Sequence, residues 1–415
     1  MEMIYLDHAA ATPVDSRVLK AMEPYFTEEF FNPSAAYLPA KKVAADYEAA
    51  KATIAHAIGA KAVDLVITAG ATEANNLAFT SLETREYSSF SERSLRPIVT
   101  GFGRSAFSTS ENMLLEREYS SRLLYLVTEH DSVRRVAEQY GGEAIRVLPN
   151  GLVDLEDLRS KITDETELIS IALVNNELGT IQPLSEVAQI IRAVKIDRMK
   201  RGISRQLLLH SDASQALSLL DINVARLGVD LMTLNAAKIY GPKGVGALYV
   251  SHDARLAPLT YGGGQENGLR SGTENVPGVI GFAEAVRLAK DHLNGNRKKY
   301  AAWRKIMLGE LKDYELINKK HSLDNFLVIS YDGIDAERLV FLLEDKGVYV
   351  ATGAACAASK GVRSHVLAAI GLSESKIAGS LRLTMGETNN EAQMHDAAKI
   401  INETAKAEYK RCSQT

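Results

Sequence analysis

Lys238 is the residue whose type and position give the first indication of chemistry. It follows the apolar stretch LMTLN (231–235) and precedes a turn built on Gly241 and Pro242. An amine at the end of a buried strand loses part of its hydration, which favours the neutral, nucleophilic form needed for a Schiff base. Most lysines at strand ends are simply solvated, so Lys238 is a candidate only if other polar groups converge on it.

A carboxylate and a helix start provide the second and third candidates. LLLHSDASQ (207–215) places Asp212 at the carboxyl end of a predicted strand, where open α/β sheets bind ligands and a carboxylate can pair with a pyridinium nitrogen. ITAGATEANNLA (67–78) predicts a strand, a glycine turn and a helix beginning near Thr72, whose free N–H groups can bind phosphate. Each of the two residues also fits an ordinary helix cap.

Two more polar residues follow predicted strands. TEHDS (128–132) carries His130, which can stack on a flat cofactor ring, and LVNNELGT (173–180) carries Asn176, which can donate a hydrogen bond to a ring oxygen. Either residue alone is more often structural. Four strand ends that direct polar side chains toward one sheet edge nevertheless predict a single ligand site.

The two cysteines of the chain have different surroundings. Cys356 lies in ATGAACAASKG (351–361), a run of small residues that is poor core material and predicts a mobile loop. Cys412 lies close to the C-terminus, and we expect no role for it. Cysteines this far apart do not indicate a disulfide framework, and no His/Cys cluster has metal-ligand spacing.

Composition and charge indicate a globular protein with small-molecule ligands. The 415 residues are 46% apolar and 24% charged, enough for two domains, since single cores usually stop growing near ~250–300 residues. A formal net charge of −4 gives no reason to expect nucleic acid or a membrane surface as a partner. The start MEMIYLDHAA has no signal segment and no apolar run approaches the ~20 residues of a membrane helix, so we expect a cytoplasmic protein.

Short apolar runs alternate with helix-length amphipathic segments, which is typical of an α/β fold with a mostly parallel sheet. We expect a large domain over residues 15–255, with a serine-rich insertion at about 81–121. The predicted strands of this domain are LVIT (65–68), LLYLVT (123–128), LISIALV (168–174), LLLHSD (207–212), LMTLN (231–235) and GALYV (246–250).

A smaller α/β domain is expected from residues 1–14 and 256–415, including the loop 351–361. Its predicted elements are a long helix from Gly278 to about Leu316, a strand in FLVISYDG (326–333), a helix over 336–347, a strand around Leu381 to Met385 and a C-terminal helix after Asn390.

Eight segments, in this order, resemble the cysteine desulfurases over nearly the whole chain. They are YLDHAAATPVD (5–15), TAGATEANNLA (68–78), TEH (128–130), VNNELGT (174–180), DASQ (212–215), AKIYGPKGVGALYV (237–250), GGGQENGLRSGT (262–273) and TGAACAAS (352–359). The resemblance implies a fold-type I pyridoxal-phosphate (PLP) enzyme that acts as a homodimer. It would take sulfur from L-cysteine to give L-alanine and a persulfide on Cys356.

Within that family the chain is similar to the branch that supplies sulfur for iron–sulfur clusters and tRNA thiolation. An acceptor protein is therefore an expected partner, without direct contact to nucleic acid. Carried over by position, Lys238 would hold PLP as a Schiff base, Asp212 would pair with the ring nitrogen, and His130 would stack on the ring. The resemblance further implies ring-oxygen contacts from Gln215 and Asn176, phosphate contacts from Gly70, Ala71, Thr72, Asn235 and, from the partner subunit, Thr273, and substrate-carboxylate contacts from Asn32 and Arg382.

Several positions depart from the family pattern. Asn235 and Ala237 replace a common Ser and His that help hold the phosphate, and Asn267 and Glu387 replace two common arginines. A lost hydrogen bond to a charged group costs roughly 1.5–3 kcal/mol, so we expect weaker rather than absent cofactor binding. Two alternatives stay open: a selenocysteine lyase or aminotransferase-like enzyme of the same fold, and a non-catalytic partner subunit.

Overall fold

In a computed structural model of the chain, the structure describes residues 3–82, 122–353 and 363–413. Almost all of the predicted insertion and the residues around Cys356 lie outside these ranges. The strands are β1 (Ile4–Tyr5), β2 (Leu65–Thr68), β3 (Leu123–Leu126), β4 (Glu143–Ile145), β5 (Leu168–Ser170), β6 (Leu208–Asp212), β7 (Leu231–Asn235), β8 (Gly246–Val250), β9 (Glu315–Leu316), β10 (Phe326–Ser330), β11 (Val348–Tyr349), β12 (Ala351–Thr352) and β13 (Ser380–Thr384).

Helices flank these strands along the chain. The α-helices are α1 (Ser16–Met22), α2 (Pro24–Thr27), α3 (Leu38–His56), α4 (Ala71–Phe79), α5 (Asp131–Gln139), α6 (Leu155–Lys161), α7 (Leu184–Lys200), α8 (Val224–Leu227), α9 (Val276–Glu310), α10 (Ala336–Glu344), α11 (His365–Ala369), α12 (Glu374–Ala378) and α13 (Glu391–Cys412).

The larger sheet has the strand order β2-β8-β7-β6-β5-β3-β4. The neighbours from β7 to β4 pair in parallel, and β8 runs antiparallel to both β2 and β7. All residues of β2, β3, β5 and β6 are buried, as expected for a sheet covered on both faces. The predicted α/β class with a mostly parallel sheet is confirmed.

The register of β8 brings distant segments to one sheet edge. Gly246, its first residue, pairs with both Thr68 and Asn235, the last residues of β2 and β7. The ends of β2 and β7 therefore lie at the edge where the parallel strands also end. A Cβ atom on Gly246 would lie 2.8 Å from the backbone of Gly70, so a glycine is needed where these segments approach.

Strand bounds follow the predicted ones in part. Strands β2, β7 and β8 have the predicted bounds, whereas β3 ends at Leu126 and β5 at Ser170, short of the predicted 128 and 174. Strand β4 was not predicted, because EAI is short and only one of its residues is buried. The predicted long helix ends at Glu310, short of the predicted Leu316, which lies in β9.

The C-terminal part of the chain forms a second sheet in the antiparallel order β12-β13-β10-β9. The N-terminal strand β1 pairs in parallel with β11, and Asp7 bridges to Thr384. The long helix α9 packs against α1, α3 and α13. The division into residues 15–255 and residues 1–14 plus 256–415 stays a prediction.

Helices that could span a lipid bilayer are absent from the described ranges, since none of them combines sufficient length with sufficient hydropathy. Within the same ranges, no group of three or more His, Cys, Asp or Glu side chains is arranged to hold a metal ion.

Candidate active site

A cavity of about 770 Å³ opens where the parallel strands of the larger sheet end. This volume is within the ~300–1,000 Å³ usual for small-molecule sites. Of the predicted site residues that the structure describes, all but Thr273 and Asn32 lie at its wall: the wall contains Gly70, Ala71, Thr72, His130, Asn176, Asp212, Gln215, Asn235, Lys238 and Arg382.

The N-terminus of α4 forms one end of the cavity. Gly70 is the N-cap residue, with φ 146° and ψ 179°, a conformation open to glycine and strained for other residues. The first N–H groups of a helix have no intrahelical partner, and the helix dipole favours an anion beside them. The nearby Glu73 carboxylate accepts a hydrogen bond from Ala69 N (2.9 Å) and pairs with Arg270 (2.9 Å), so its charge is offset.

Asp212 ends β6 and directs its carboxylate into the buried floor of the cavity. Its Oδ1 accepts a hydrogen bond from Ser214 N (2.9 Å), and its Oδ2 accepts one from Asn75 Nδ2 (2.9 Å). The Ser214 hydroxyl is buried and has no hydrogen-bond partner among the described residues. The cavity floor therefore contains the Asp212 carboxylate in a fixed orientation and the Ser214 hydroxyl, and both groups suit a polar ligand.

Lys238 lies in the short 3₁₀ turn that follows β7. Its Nζ donates hydrogen bonds to the carbonyl oxygens of Ala9 (3.0 Å) and Ala10 (2.5 Å). The Thr12 hydroxyl donates to Ala237 O (3.0 Å) and accepts from Tyr240 N (2.9 Å). The N-terminal segment thus holds both the amine and the turn that carries it.

His130 is the N-cap residue of α5. Its Nδ1 accepts a hydrogen bond from Ser132 N (3.1 Å) and lies 2.9 Å from Ser132 Oγ. His130 can therefore have both a structural and a ligand-binding role, because its ring caps α5 and also lines the cavity.

Arg382, on β13, brings a guanidinium group to the cavity from the second sheet. Its Nη2 pairs with Asp7 Oδ1 (2.7 Å), and its Nη1 donates to the Asn176 carbonyl (2.8 Å). Asn176 lies in the loop after β5. The side chain of Gln215 also lines the cavity, and its Nε2 donates to Ala9 O (2.9 Å).

Two buried glutamates lie next to these groups. Burial, reinforced by the charge of Asp212, raises the pKa of Glu129 to about 8, although the bond from Ala172 N opposes the shift. Burial also raises the pKa of Glu177 to about 7, against the hydrogen bond from the Ser364 hydroxyl and the charge of Arg382. Both shifts favour the protonated carboxylic acid near neutral pH.

Two of the predicted site residues that the structure describes lie away from this cavity. The side chain of Asn32 is in an exposed loop, where its Oδ1 accepts a hydrogen bond from Ser34 N (2.9 Å). Thr273 is exposed and does not line the cavity of its own chain. Cys356 lies outside the described residues.

Sequence reasoning missed the residues that support the predicted ones. Asn75 links Asp212 to Ser132, and Glu129 accepts from Ala172 N (2.6 Å) beneath the cavity. Glu129 carries a local signal, since it directly precedes His130 after a buried strand. Asn75 carries a weaker one: an asparagine is a poor helix former, and Asn75 points to the buried side of α4.

The chain has an α/β fold with a polar cavity at the carboxyl ends of its parallel strands, which is the usual place for a small-molecule site in such folds. The model of the aminotransferase class-V family matches residues 4–91 and 101–395. The chain belongs to this family.

Relatives and solved structures similar to the chain cover nearly all of it. A putative cysteine desulfurase IscS 1 of Bacillus subtilis (strain 168) is 32% identical over 98% of this chain and 99% of its own length. Cysteine desulfurase IscS 1 of Archaeoglobus fulgidus is 34% identical over 96% of both chains. The structure of a NifS-like protein aligns with a TM-score of 0.82 at 28% identity, covering 98% of this chain and all of the other.

Proposed function

We propose that this protein is a PLP-dependent cysteine desulfurase that removes sulfur from L-cysteine and releases L-alanine. The observation that carries the proposal is the convergence of Lys238, Asp212, His130 and the N-terminus of α4 on one cavity. Relatives named cysteine desulfurase, such as that of Pasteurella multocida at 35% identity over 96% of the chain, support the reaction. A solved structure of SspA in complex with cysteine, 30% identical over 92% of the chain with a TM-score of 0.73, supports the substrate.

The chemical groups of the cavity fit PLP. An amine (Lys238), a carboxylate (Asp212) and a helix N-terminus (Gly70–Thr72) match the aldehyde, the ring nitrogen and the phosphate of the cofactor. Asn235 also lines the cavity and can add a side-chain donor, although its Oδ1 is occupied by Ala237 N (3.2 Å). PLP, when bound, supplies an electron sink for the bonds to the α-carbon of an amino acid.

The remaining steps fall to residues of this chain. Arg382 would bind the carboxylate of L-cysteine, since its guanidinium is held in a fixed orientation by Asp7 and Asn176. Lys238 would accept a proton from the α-carbon of the substrate and return it, because its amine lies at the cavity wall. Asp212 would stabilise positive charge on the ring nitrogen.

Cys356 would accept the sulfur. Its thiolate would attack the sulfur of bound L-cysteine, so that an S–S bond forms while the C–S bond breaks and the carbon fragment takes a proton to become alanine. The Cys356 persulfide would then pass its sulfur to an acceptor protein, either an iron–sulfur scaffold or a relay for tRNA thiolation. A homodimer fits the exposed position of Thr273, which would reach the cavity of the partner subunit.

The first experiment is an absorbance spectrum of the purified protein, followed by assays of alanine and sulfide after addition of L-cysteine. We expect the band of PLP bound to a lysine, its loss in Lys238→Ala, and alanine production that requires Cys356. The chain offers a matched control, because Cys412→Ala removes the other thiol and should leave turnover unchanged.

Other outcomes would redirect the assignment. Equal alanine formation by Cys356→Ala and the wild type would exclude the persulfide step and favour a different lyase or an aminotransferase of the same fold. A protein that stays colourless with added PLP would favour a non-catalytic partner subunit.

A further inference from the structure

A chain of hydrogen bonds connects Asp212 to His130 through two residues. Asn75, which is 0% exposed, donates from Nδ2 to Asp212 Oδ2 (2.9 Å) and to Ser132 Oγ (2.8 Å). Ser132 Oγ in turn lies 2.9 Å from His130 Nδ1. Each of these residues lies at or directly behind the cavity wall. The donor and acceptor roles along this chain of hydrogen bonds therefore decide whether His130 presents an N–H group or a lone pair to a ligand.

The Asp212 carboxylate fixes the orientation of the Asn75 amide. It accepts N–H groups from Ser214 and Asn75, and an ionised carboxylate can only accept hydrogen bonds. The opposite orientation would set the Asn75 carbonyl oxygen against a carboxylate oxygen, two acceptors facing each other. The Asn75 oxygen is instead buried without a hydrogen-bond partner among the described residues, while both amide protons are used.

The orientation of Asn75 then determines the direction of the next hydrogen bond. Since Asn75 donates to Ser132 Oγ, the hydroxyl proton of Ser132 is available for His130 Nδ1. The backbone N–H of Ser132 donates to the same nitrogen (3.1 Å). Two donors directed at Nδ1 require a lone pair on it, so the ring proton belongs on Nε2.

We propose that Asn75 and Ser132 are positioning residues that hold His130 in the neutral tautomer protonated on Nε2, so that it presents an N–H group to the ligand in the cavity. The assignment of the tautomer rests on these contacts alone, and its use in turnover rests on the proposed function. His130 Nε2 has no hydrogen-bond partner among the described residues, which leaves its proton available to a bound molecule.

The alternative tautomer breaks the chain of hydrogen bonds. A proton on Nδ1 would face the backbone N–H of Ser132, which would lose its acceptor at the start of α5. The Ser132 hydroxyl would receive two donors and its own proton would need another acceptor. The loss of one such hydrogen bond should change the equilibrium constant between the two His130 tautomers by roughly tenfold, in favour of the form protonated on Nε2.

The test reads the tautomer directly from the ¹³Cδ2 chemical shift of His130 in ¹³C-histidine-labelled holoenzyme, with the signal assigned from a His130→Gln variant. We expect the Nε2-protonated form in the wild type. Ser132→Ala should lower the ratio of the two tautomers by about tenfold, and Ser132→Thr, which keeps the hydroxyl, should restore it. Ser330→Ala is the matched control, because it removes a buried hydroxyl bonded to Lys376 O (2.7 Å) in the second sheet.

Asn75→Asp provides a second variant of nearly unchanged volume that removes both donors, and Ser132→Ala alone suffices if that protein does not fold. A wild-type His130 protonated on Nδ1, or an unchanged ratio in Ser132→Ala, would overturn the inference. Steady-state kinetics distinguish a failure of the tautomer inference from a failure of the proposed desulfurase function. A locked tautomer without cysteine turnover would reject the function only, whereas turnover with an unlocked tautomer would reject the inference only. With both intact, Ser132→Ala should lower kcat and leave KM for L-cysteine unchanged.

Discussion

The guanidinium group of Arg382 lies against the carboxylate of Asp7, with 2.7 Å between Nη2 and Oδ1. Arg382 is only 3% exposed, and its Nη1 also donates to the Asn176 carbonyl. Its Nε is buried without a hydrogen-bond partner among the described residues. The guanidinium group is therefore held in a fixed orientation at the cavity wall, where the remaining N–H groups of Nη1 and Nη2 suit recognition of a substrate carboxylate.

Arg382→Lys should raise KM for L-cysteine by about tenfold or more, with a smaller change in kcat, because an ammonium group cannot reproduce the planar fork of donors. Steady-state kinetics on the holoenzyme measure both parameters. Asp7→Asn is the matched comparison: its oxygen still accepts from Arg382 while the competing negative charge is gone, so KM should not rise. An equal KM for Arg382→Lys and the wild type would exclude the carboxylate role.

Ala237→His should strengthen cofactor binding. Ala237 lines the cavity next to Lys238 and has no side-chain donor, and an imidazole there could donate to the phosphate of PLP. A hydrogen bond to a charged group contributes roughly 1.5–3 kcal/mol, so the dissociation constant for PLP should fall by about tenfold to a hundredfold. Titration of the apoprotein with PLP by absorbance measures this constant.

The control for this substitution is Ala237→Leu, which adds volume without a donor and should not tighten binding. If the histidine and leucine variants bind PLP equally well, the phosphate does not lie beside position 237.

Strand positions could be predicted where a run of apolar residues is buried on both faces. LVIT, LMTLN and GALYV fulfil that condition for most of their residues, and their bounds agree with β2, β7 and β8. The apolar run LISIALV extends beyond Ser170, the last residue of β5. The strand ends within this run because of a contact with a residue from another segment. On the side of β6 the backbone bonds continue, since Ile171 N and Leu173 N donate to His210 O (3.0 Å) and Asp212 O (2.9 Å). The N–H of Ala172, between them, donates instead to the side chain of Glu129.

The site was predictable as far as its residues follow strand ends. Asp212 ends β6 and Lys238 follows β7, both at positions that local patterns identify. The contact between Asn75 and Asp212 joins residues 137 positions apart, and nothing in the helix sequence specifies which carboxylate the amide meets. Long-range polar pairing of this kind depends on the strand order, which periodicity does not determine.

Glu129→Gln should stabilise the protein increasingly as the pH rises. The pKa of Glu129 is raised to about 8 in the folded chain, above the ordinary value of 4.5, mainly because it is buried. Between these values the folded state keeps a proton that the unfolded state has released, so folding stability falls as the pH increases through this window. Glutamine has no proton to lose, so its advantage should grow with pH across this window and approach about 5 kcal/mol above pH 8.

Thermal unfolding midpoints of the wild type and Glu129→Gln between pH 5 and pH 9 measure this effect. Glu403→Gln, at an exposed position of α13, controls for the general loss of one carboxylate. A difference between wild type and Glu129→Gln that is the same at both ends of the pH range would contradict the assignment of Glu129 as a buried protonated acid.

Glu266→Ala should destabilise the protein strongly, because Glu266 neutralises a buried lysine. The side chains of Lys51 and Glu266 are 7% and 5% exposed, with 2.9 Å between Nζ and Oε2. The Glu266 carboxylate also accepts from Tyr47 Oη (2.5 Å) and Ile67 N (2.8 Å). Removal of the acid leaves an unpaired buried charge, an effect that usually costs about 3–5 kcal/mol.

The double variant Lys51→Met/Glu266→Gln removes both charges and should be more stable than Glu266→Ala, since neither charge is then buried alone. Glu284→Ala breaks the exposed pair with Arg287 and should change stability by less than about 1 kcal/mol. Unfolding midpoints in urea rank the three variants. Glu266→Ala should also weaken PLP binding, because Ile67, which donates to the Glu266 carboxylate, lies in β2, and β2 leads to the turn at Gly70. If the variant loses stability but binds PLP as tightly as the wild type, the role of Glu266 is limited to stability.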